Sequence, residues 1–247
     1  LGTDGFPDPF SLLKKVIQGM GEPTIAVVIP TLNEETNISR CLSSIGTSPD
    51  IEKIVVDGGS RDRTVEIARS CRAEVLVMAP GRARQMNAGA ENAQGDFLLF
   101  LHADTVLPAE FPFWIRNILA QPKVAAGAFS FRLDASGPGL RLIEWVANWR
   151  SRFLQMPYGD QGLFLRASLF REVGGFRDMP IMEDFEFIRR LRQKGGIRTV
   201  PVAAVTSARR WQAVGLWRTT LLNQAIVLGY WAGIPPARLA CWYRKKD

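Results

Sequence analysis

An α/β fold, with a mostly parallel central sheet flanked by helices and closed by a C-terminal helical extension, is predicted by three observations. Over the first hundred residues short apolar runs alternate with helix-length segments, the pattern of strands joined by right-handed helical crossovers. The run 97–101 holds five large apolar residues between Gly95 and Pro108, too few for a buried helix, so it reads as a strand covered on both faces. Three such runs, 25–29, 54–56 and 97–101, each end in a polar cluster: Pro30-Thr31-Leu32-Asn33-Glu34-Glu35, Asp57-Gly58-Gly59-Ser60 and His102-Ala103-Asp104. The three clusters should therefore meet along one sheet edge, where ligands enter open α/β sheets.

The elements follow in order. Strand one covers 25–29, and Thr31 with Glu34 has capping-box spacing ahead of a helix over 36–45. Strand two covers 54–56, Asp62 can cap a helix over 63–71, and strand three covers 75–78. A helix over 81–93 carries Ala83, Met86, Ala90 and Ala93 on one face and leads into the fourth strand, completing a Rossmann-like half. Beyond Pro108 the rhythm changes. A helix over 109–119 precedes 124–133, where Phe129 and Phe131 alternate with Ser130 and Arg132 as in a strand with one wet face. Residues 140–153 form a helix holding Trp145 and Trp149 one turn apart. Tyr158-Gly159-Asp160-Gln161-Gly162 is a turn, 163–165 a short strand, and 183–193 a helix ending at Gly195-Gly196. The last forty residues combine Arg209, Arg210, Trp211 and Trp217 with an apolar helix and a basic tail, Arg244-Lys245-Lys246. Residues 1–22 read as a leader or cloning remnant with one short helix over 9–18 and no signal-peptide pattern.

At 247 residues and 47% hydrophobic the chain can bury one large core. Lys and Arg outnumber Asp and Glu by 31 to 24, and the net charge of +7 favours anionic partners. The basic residues are scattered among acidic ones without a recognisable module, so no nucleic-acid partner is expected. Three cysteines, an odd number without CxxC spacing, indicate neither a disulfide framework nor a zinc site, and a cytoplasmic location fits them. The apolar stretch 221–234 is interrupted by Asn223 and Gln224 and is shorter than the ~20 residues of a membrane-spanning helix. Trp217 to Trp231 together with the basic tail could rest on the inner face of a membrane as a peripheral contact, or close the core or a homodimer contact.

There is no GxGxxG and no GxxxxGK, so phosphates would have to be held by metal and basic side chains. Asp104, just past a strand end, offers a hard oxygen ligand for a divalent cation carrying phosphates. His102 is the only histidine; it reads as a second metal ligand or as a hydrogen-bonded structural residue. Asp57 could accept from the imide N–H of a uracil or from a ribose hydroxyl, or serve its own turn before Gly58. Arg82 and Arg84 stand in a first helical turn, the wrong end for the helix dipole, which hints at a nearby anion. Glu183 and Asp184 open a helix, as dipole partners or as a base for an acceptor hydroxyl, with Glu186 a third contender.

Taken together these pieces resemble the inverting glycosyltransferases of family 2, which have the GT-A fold. The resemblance covers about 24–211 and runs through Val28-Ile29-Pro30-Thr31-Leu32-Asn33-Glu34-Glu35, Val55-Val56-Asp57-Gly58-Gly59-Ser60-Arg61-Asp62, Gly89, Gly95-Asp96, Leu101-His102-Ala103-Asp104, Gly174-Gly175-Phe176 and Met182-Glu183-Asp184. It is closest to small members without transmembrane helices. It implies a nucleotide-sugar-binding half at 24–127, an acceptor-binding half at 128–211 and a helical extension at 212–247. Pro30, Thr31, Asn33 and Glu34 would line the nucleotide pocket with Arg82 and Arg84, and Asp57 would hold the base, most often uracil. Asp104 matches the last aspartate of the family's DXD motif and would bind Mn²⁺ or Mg²⁺, with His102 standing where the first aspartate should be. Asp184 matches the second residue of the ED motif and would be the general base, with Glu183 beside it. Ser207-Ala208-Arg209-Arg210-Trp211 is half of the processive members' QxxRW, which implies transfer of a single sugar, with Arg209 and Arg210 facing the diphosphate. Tyr158, Asp160, Gln161 and Trp211 are the expected acceptor contacts, with Trp145 and Trp149 as further aromatic faces. The implied activity is transfer from a nucleotide-diphosphate sugar, UDP-sugar favoured, to a hydroxyl acceptor. The rival readings are a polyprenyl-phosphate glycosyltransferase at the membrane surface and a nucleotide-sugar binding protein without catalysis.

Overall fold

The computed structural model describes residues 22–244; the expected leader helix at 9–18 and the last residues of the basic tail lie outside them. β1 (Ile25–Thr31), α1 (Ile38–Ile45), β2 (Ile51–Asp57), α2 (Thr64–Ser70), β3 (Glu74–Val77), α3 (Arg82–Asn92) and β4 (Phe97–Phe100) alternate as expected. They are followed by β5 (Thr105–Val106), α4 (Phe111–Leu119), β6 (Val124–Leu133), α5 (Pro138–Phe153), a 3₁₀ turn (Gly159–Gln161), β7 (Leu163–Arg166), α6 (Ala167–Glu172) and α7 (Glu183–Leu191). β8 (Gly196–Thr206), α8 (Arg209–Val214), α9 (Leu216–Trp231) and α10 (Pro236–Arg244) are the last described elements.

All eight strands among the described residues belong to one sheet, in the order β3-β2-β1-β4-β7-β6-β8-β5. β3, β2, β1 and β4 are parallel neighbours, β7 runs against both β4 and β6, β6 and β8 are parallel, and β5 runs against β8. The sheet is thus mostly parallel and continues from the first half of the chain into the second. Alternate residues of β4 enter two different cores, as a strand covered on both faces requires. Leu98 and Phe100 pack with Met86, Phe170, Phe176 and Phe187, while Phe97, Leu99 and Leu101 pack with Ile38, Leu42, Phe111 and Ile115. Gly89 lets α3 lie directly on the sheet, since a Cβ there would stand 2.4 Å from Val28 Cγ1.

Three local expectations are corrected and one strand is added. Thr31 and Glu34 do not form a capping box: Thr31 is the last residue of β1, and α1 begins at Ile38 without a side-chain cap. Instead the Thr31 hydroxyl donates to Asp57 Oδ1 at 3.3 Å. β6 has no wet face, because α4 and α5 both pack against it; Ser130 is buried and donates to Val200 O at 2.7 Å, leaving only Arg132 exposed. β8 is an eleven-residue strand that sequence pattern misses. Its Pro201 falls in a register irregularity between the Thr199 and Ala203 pairings, where the missing N–H does no harm. Finally, Trp145 and Trp149 are 64% and 46% exposed on the outer face of α5 rather than gathered at the site.

Phe164 at the centre of β7 is fully buried, with its ring 5.4 Å from that of Phe129. Phe164→Ala is expected to destabilise the fold by about 3–5 kcal/mol, read as a shifted urea midpoint. A Cβ on Gly127 would meet the same ring at 2.3 Å, so Gly127→Ala should cost about 1–3 kcal/mol by overpacking.

Candidate functional site

The parallel strands β1, β2 and β4 end on one edge, with Thr31 paired to Asp57 and Val28 to Phe100. Because β7 is antiparallel to β4, its start meets β4's end, Phe100 against Leu163; this delivers the Tyr158–Gln161 turn to the same edge. β6 and β8 finish there too, Leu133 beside Thr206, and Ser207 N–H donates to Asp104 O at 3.1 Å. Segments more than a hundred residues apart are thereby gathered around one opening.

The first two motif loops hold each other. Asp57, 1% exposed, accepts at Oδ2 from the Gly59 and Ser60 N–H groups, both at 2.8 Å, and at Oδ1 from the Thr31 and Ser60 hydroxyls. Its carboxylate is thus fully engaged in ordering its own turn. Asn33 adopts a left-handed φ of 54°, which Asn tolerates. Its N–H donates to the Ser60 hydroxyl, and its Oδ1 accepts from the Arg61 N–H. Glu34 and Glu35 N–H groups donate to Thr64 and Asp62. Gln85 of α3 ties the pair together by donating to Thr31 O and Val56 O.

Arg209, at the start of α8, reaches into this edge. Its guanidinium donates to both oxygens of Glu34 and lies 3.4 Å from Asp104 Oδ2. Burial holds the Asp104 carboxyl above the usual carboxylate range, while Arg209 pulls it down. His102 comes from the same loop. Burial and the positive charge of Arg82 hold its imidazole down at about 3, so it is neutral at ordinary pH. The buried Cys41 thiol, pushed up by burial, donates to His102 O.

Glu183 and Asp184 open α7 directly after Met182, whose φ of 70° is a left-handed conformation unusual for a non-glycine residue and typical of functional sites. Asp184 Oδ2 accepts the Gly159 N–H at 2.8 Å and Oδ1 accepts the Phe185 N–H at 2.7 Å, which leaves lone pairs on both oxygens. A Cβ on Gly159 would lie 3.0 Å from His102 Nε2 and 3.3 Å from Asp184 Oδ2. Glycine at that position is therefore what permits the imidazole and the carboxylate to converge. Glu183, 4% exposed and raised by burial, faces Arg82 Nη1 at 3.5 Å. Glu186 is turned away, bonded to Arg190 and Arg177.

Arg82, His102, Tyr158, Asp160, Glu183 and Asp184 line a cavity of about 150 Å³. Burial pushes the Asp160 carboxyl up to about 6, against the pull of Arg150. Tyr158 lies under the Arg150 guanidinium, 3.3 Å from ring centre to Cζ. Pro30 lines a smaller adjoining pocket together with His102 and Asp184.

Other expected residues go elsewhere. Arg84 bonds Pro80 O and faces Asp178 across 3.8 Å, outside the cavity that Arg82 lines. Arg210 stacks on and bonds Tyr243 of α10 instead of joining Arg209. Gln161 is fully buried and structural, donating to Phe129 O and accepting from Tyr158 N–H. Trp211 packs beside Phe131 on the wall of a second, larger cavity. Sequence reasoning missed Gln85 and Gly159. Neither carries a spacing signal, because each acts through contacts with segments far away in the chain.

As for metal, no three His, Cys, Asp or Glu side chains among the described residues form a metal-holding group. One carboxylate, Asp104, with a neutral imidazole nearby fits the other mode of divalent binding, in which one or two protein ligands share the cation with substrate phosphates.

A model of the family described as glycosyl transferase family 2 matches residues 26–172. A PGL/p-HBAD biosynthesis glycosyltransferase of Mycobacterium bovis is 39% identical over 97 residues, 36% of this chain and 38% of that protein. An uncharacterized glycosyltransferase of Haemophilus influenzae is 28% identical over 167 residues, 62% of this chain and 64% of that protein. The chain thus spans less than two thirds of the length of either relative. The mannosyltransferase PcManGT of Pyrobaculum calidifontis, solved in complex with GDP-Man and Mn²⁺, superposes with a TM-score of 0.63 at 20% identity, covering 92% of this chain and 66% of that one.

Proposed function

The chain belongs to glycosyl transferase family 2, and from that premise we propose that it moves a single sugar from a nucleotide-diphosphate sugar, UDP-sugar favoured, to a hydroxyl acceptor by direct displacement with inversion. The observation that supports this reading is the bridge from Arg209 to Glu34 and Asp104, on the sheet edge that also carries the Tyr158–Gln161 turn against which Asp184 and His102 converge. A carboxylate able to take a cation, a long-armed guanidinium and a base with open lone pairs are then available at one sheet edge.

In this reading the Thr31–Glu34 and Asp57–Ser60 loops, already bonded to one another, form the floor for the base and ribose. Asp57 acts there by holding its turn in shape. The diphosphate lies along Asp104 and Arg209, and Arg209 exchanges part of its pairing with Glu34 for the phosphate oxygens. Asp184 takes the proton of the acceptor hydroxyl as that oxygen bonds to the anomeric carbon, and the bond from that carbon to the diphosphate oxygen breaks on the opposite face. Arg209 and Arg82 meet the negative charge that collects on the leaving diphosphate. A Mn²⁺ or Mg²⁺ held by Asp104, with His102 as the second donor, would supply Lewis-acid stabilisation of that charge.

A thermal-shift screen of UDP, GDP and their sugar conjugates, each with and without Mn²⁺, tests the donor. A ligand that binds only the folded chain at a hundredfold excess over Kd adds about 2.7 kcal/mol and raises the melting temperature. The expected result is a Mn²⁺-enhanced shift with uridine nucleotides. Absence of a shift with every nucleotide rejects the reading.

A further inference from the structure

Beside the cavity that holds Asp184 lies a second one, about 270 Å³, between α5 and α9. Its walls are chiefly apolar: Ile143 and Ala147 from α5, Trp211 from α8, and Leu216, Trp217 and the stem of Thr220 from α9. The two cavities adjoin, since Tyr158, Asp160 and Asn223 line both. At the junction the chemistry changes. Asn223 and Gln224, the two polar residues that interrupt the apolar run of α9, both line the groove, Asn223 partly buried and Gln224 exposed, and their side-chain amides have no hydrogen-bond partner among the described residues. Trp211 Nε1, in the groove wall, is a buried donor that likewise lacks one. An apolar cleft that meets a polar cavity at one end suits a molecule apolar along its length and polar at one end.

We infer that this groove is the acceptor subsite, and that the acceptor is an amphipathic alcohol whose apolar alkyl or aryl body lies between α5 and α9 while its hydroxyl end passes Asn223 and Tyr158 to reach Asp184. This rests on the glycosyltransferase reading and adds the class of acceptor to it. The apolar body supplies affinity without touching the reacting atoms, and the amides at the junction set how deep the hydroxyl end sits. Exposed apolar side chains at the mouth, Leu142, Val146 and Trp217, extend the apolar path outward and give a long tail somewhere to continue.

The test uses β-glucosides with methyl, hexyl and octyl tails, kept below their micelle concentrations and titrated into the full chain. Trp211 and Trp217 border the groove, so intrinsic tryptophan fluorescence reports occupancy. Affinity is expected to rise roughly three- to fourfold per methylene between hexyl and octyl. Thr220→Phe and Val146→Phe fill the groove from opposite walls, and each is expected to weaken octyl glucoside binding by about tenfold or more while leaving UDP or GDP binding unchanged; two variants keep the test alive should one fail to fold. Equal affinity for methyl and octyl glucosides, or an undiminished series in the folded variants, overturns the subsite. Nucleotides that fail to bind a wild-type chain whose tail-length series is intact overturn the glycosyltransferase reading, and with it the acceptor role of the groove.

Discussion

Asp184→Asn is expected to lower sugar transfer by about 10²- to 10⁴-fold, the contribution of a positioned general base, with nucleotide affinity kept. Asp184 stands on the first turn of α7, anchored through Gly159 N–H to the turn that begins β7, and its remaining lone pairs are free for the acceptor proton. The amide of Asn can accept only one of the two backbone N–H groups that the carboxylate now takes, so the Gly159 turn loosens somewhat. Melting temperature and UDP titration by calorimetry separate that loosening from loss of the base. If transfer is unchanged, Asp184 is not the base. Asp160 provides the internal comparison: burial pushes its carboxyl up to about 6, and it lines both cavities. Should Asp160→Asn carry the loss while Asp184→Asn does not, the roles of the two are exchanged.

The second large effect concerns Asp104. Asp104→Ala is expected to weaken nucleotide-diphosphate binding roughly tenfold or more when Mn²⁺ is present, because the carboxylate would share the cation with the phosphates and each ~1.4 kcal/mol lost is a factor of ten. With chelator present the sign should differ. Asp104 then only adds negative charge beside the diphosphate and competes for Arg209, 3.4 Å away, so its removal should leave binding equal or slightly stronger. Calorimetric titration of UDP into wild type and variant, with Mn²⁺ and with EDTA, reads both arms. Parallel weakening in the two arms would mean that Asp104 serves the fold and not the cation.

Much of the architecture is legible in the chain itself. The both-face burial of β4 is written in five successive apolar residues, and the β1, β2 and β4 cores and their polar ends follow from local pattern, since a strand's burial depends on its own period. Asp62 bonds the Thr64 N–H, but α2 starts one residue later than the sequence expects and its N-cap is Arg63, which makes no side-chain cap bond. β8 is less readable. Pro201 and the small residues Ala203 and Ala204 hide a strand whose pairing with β6 depends on neighbours seventy residues away. The wet face expected for β6 fails for a related reason: alternation in sequence cannot register that Ser130 will be buried against β8 and bonded to Val200 O.

The candidate site divides in the same manner. Asp104, His102 and Asp184 are recognisable from motif and spacing, yet the division of labour between Arg209 and Arg210 is not. Adjacent arginines on one short helix turn reach different partners, one Glu34 and Asp104, the other Tyr243 of α10. The sequence by itself determined which strands would form the parallel half and which polar residues would stand at their ends, because those are properties of runs a few residues long. Only the tertiary structure decided that Gln161 is a buried brace, that Gly159 admits His102 and Asp184 to one point, and that an apolar groove opens beside them. Those facts depend on contacts between segments tens to hundreds of residues apart, whose geometry is set by packing and is not encoded in any single stretch.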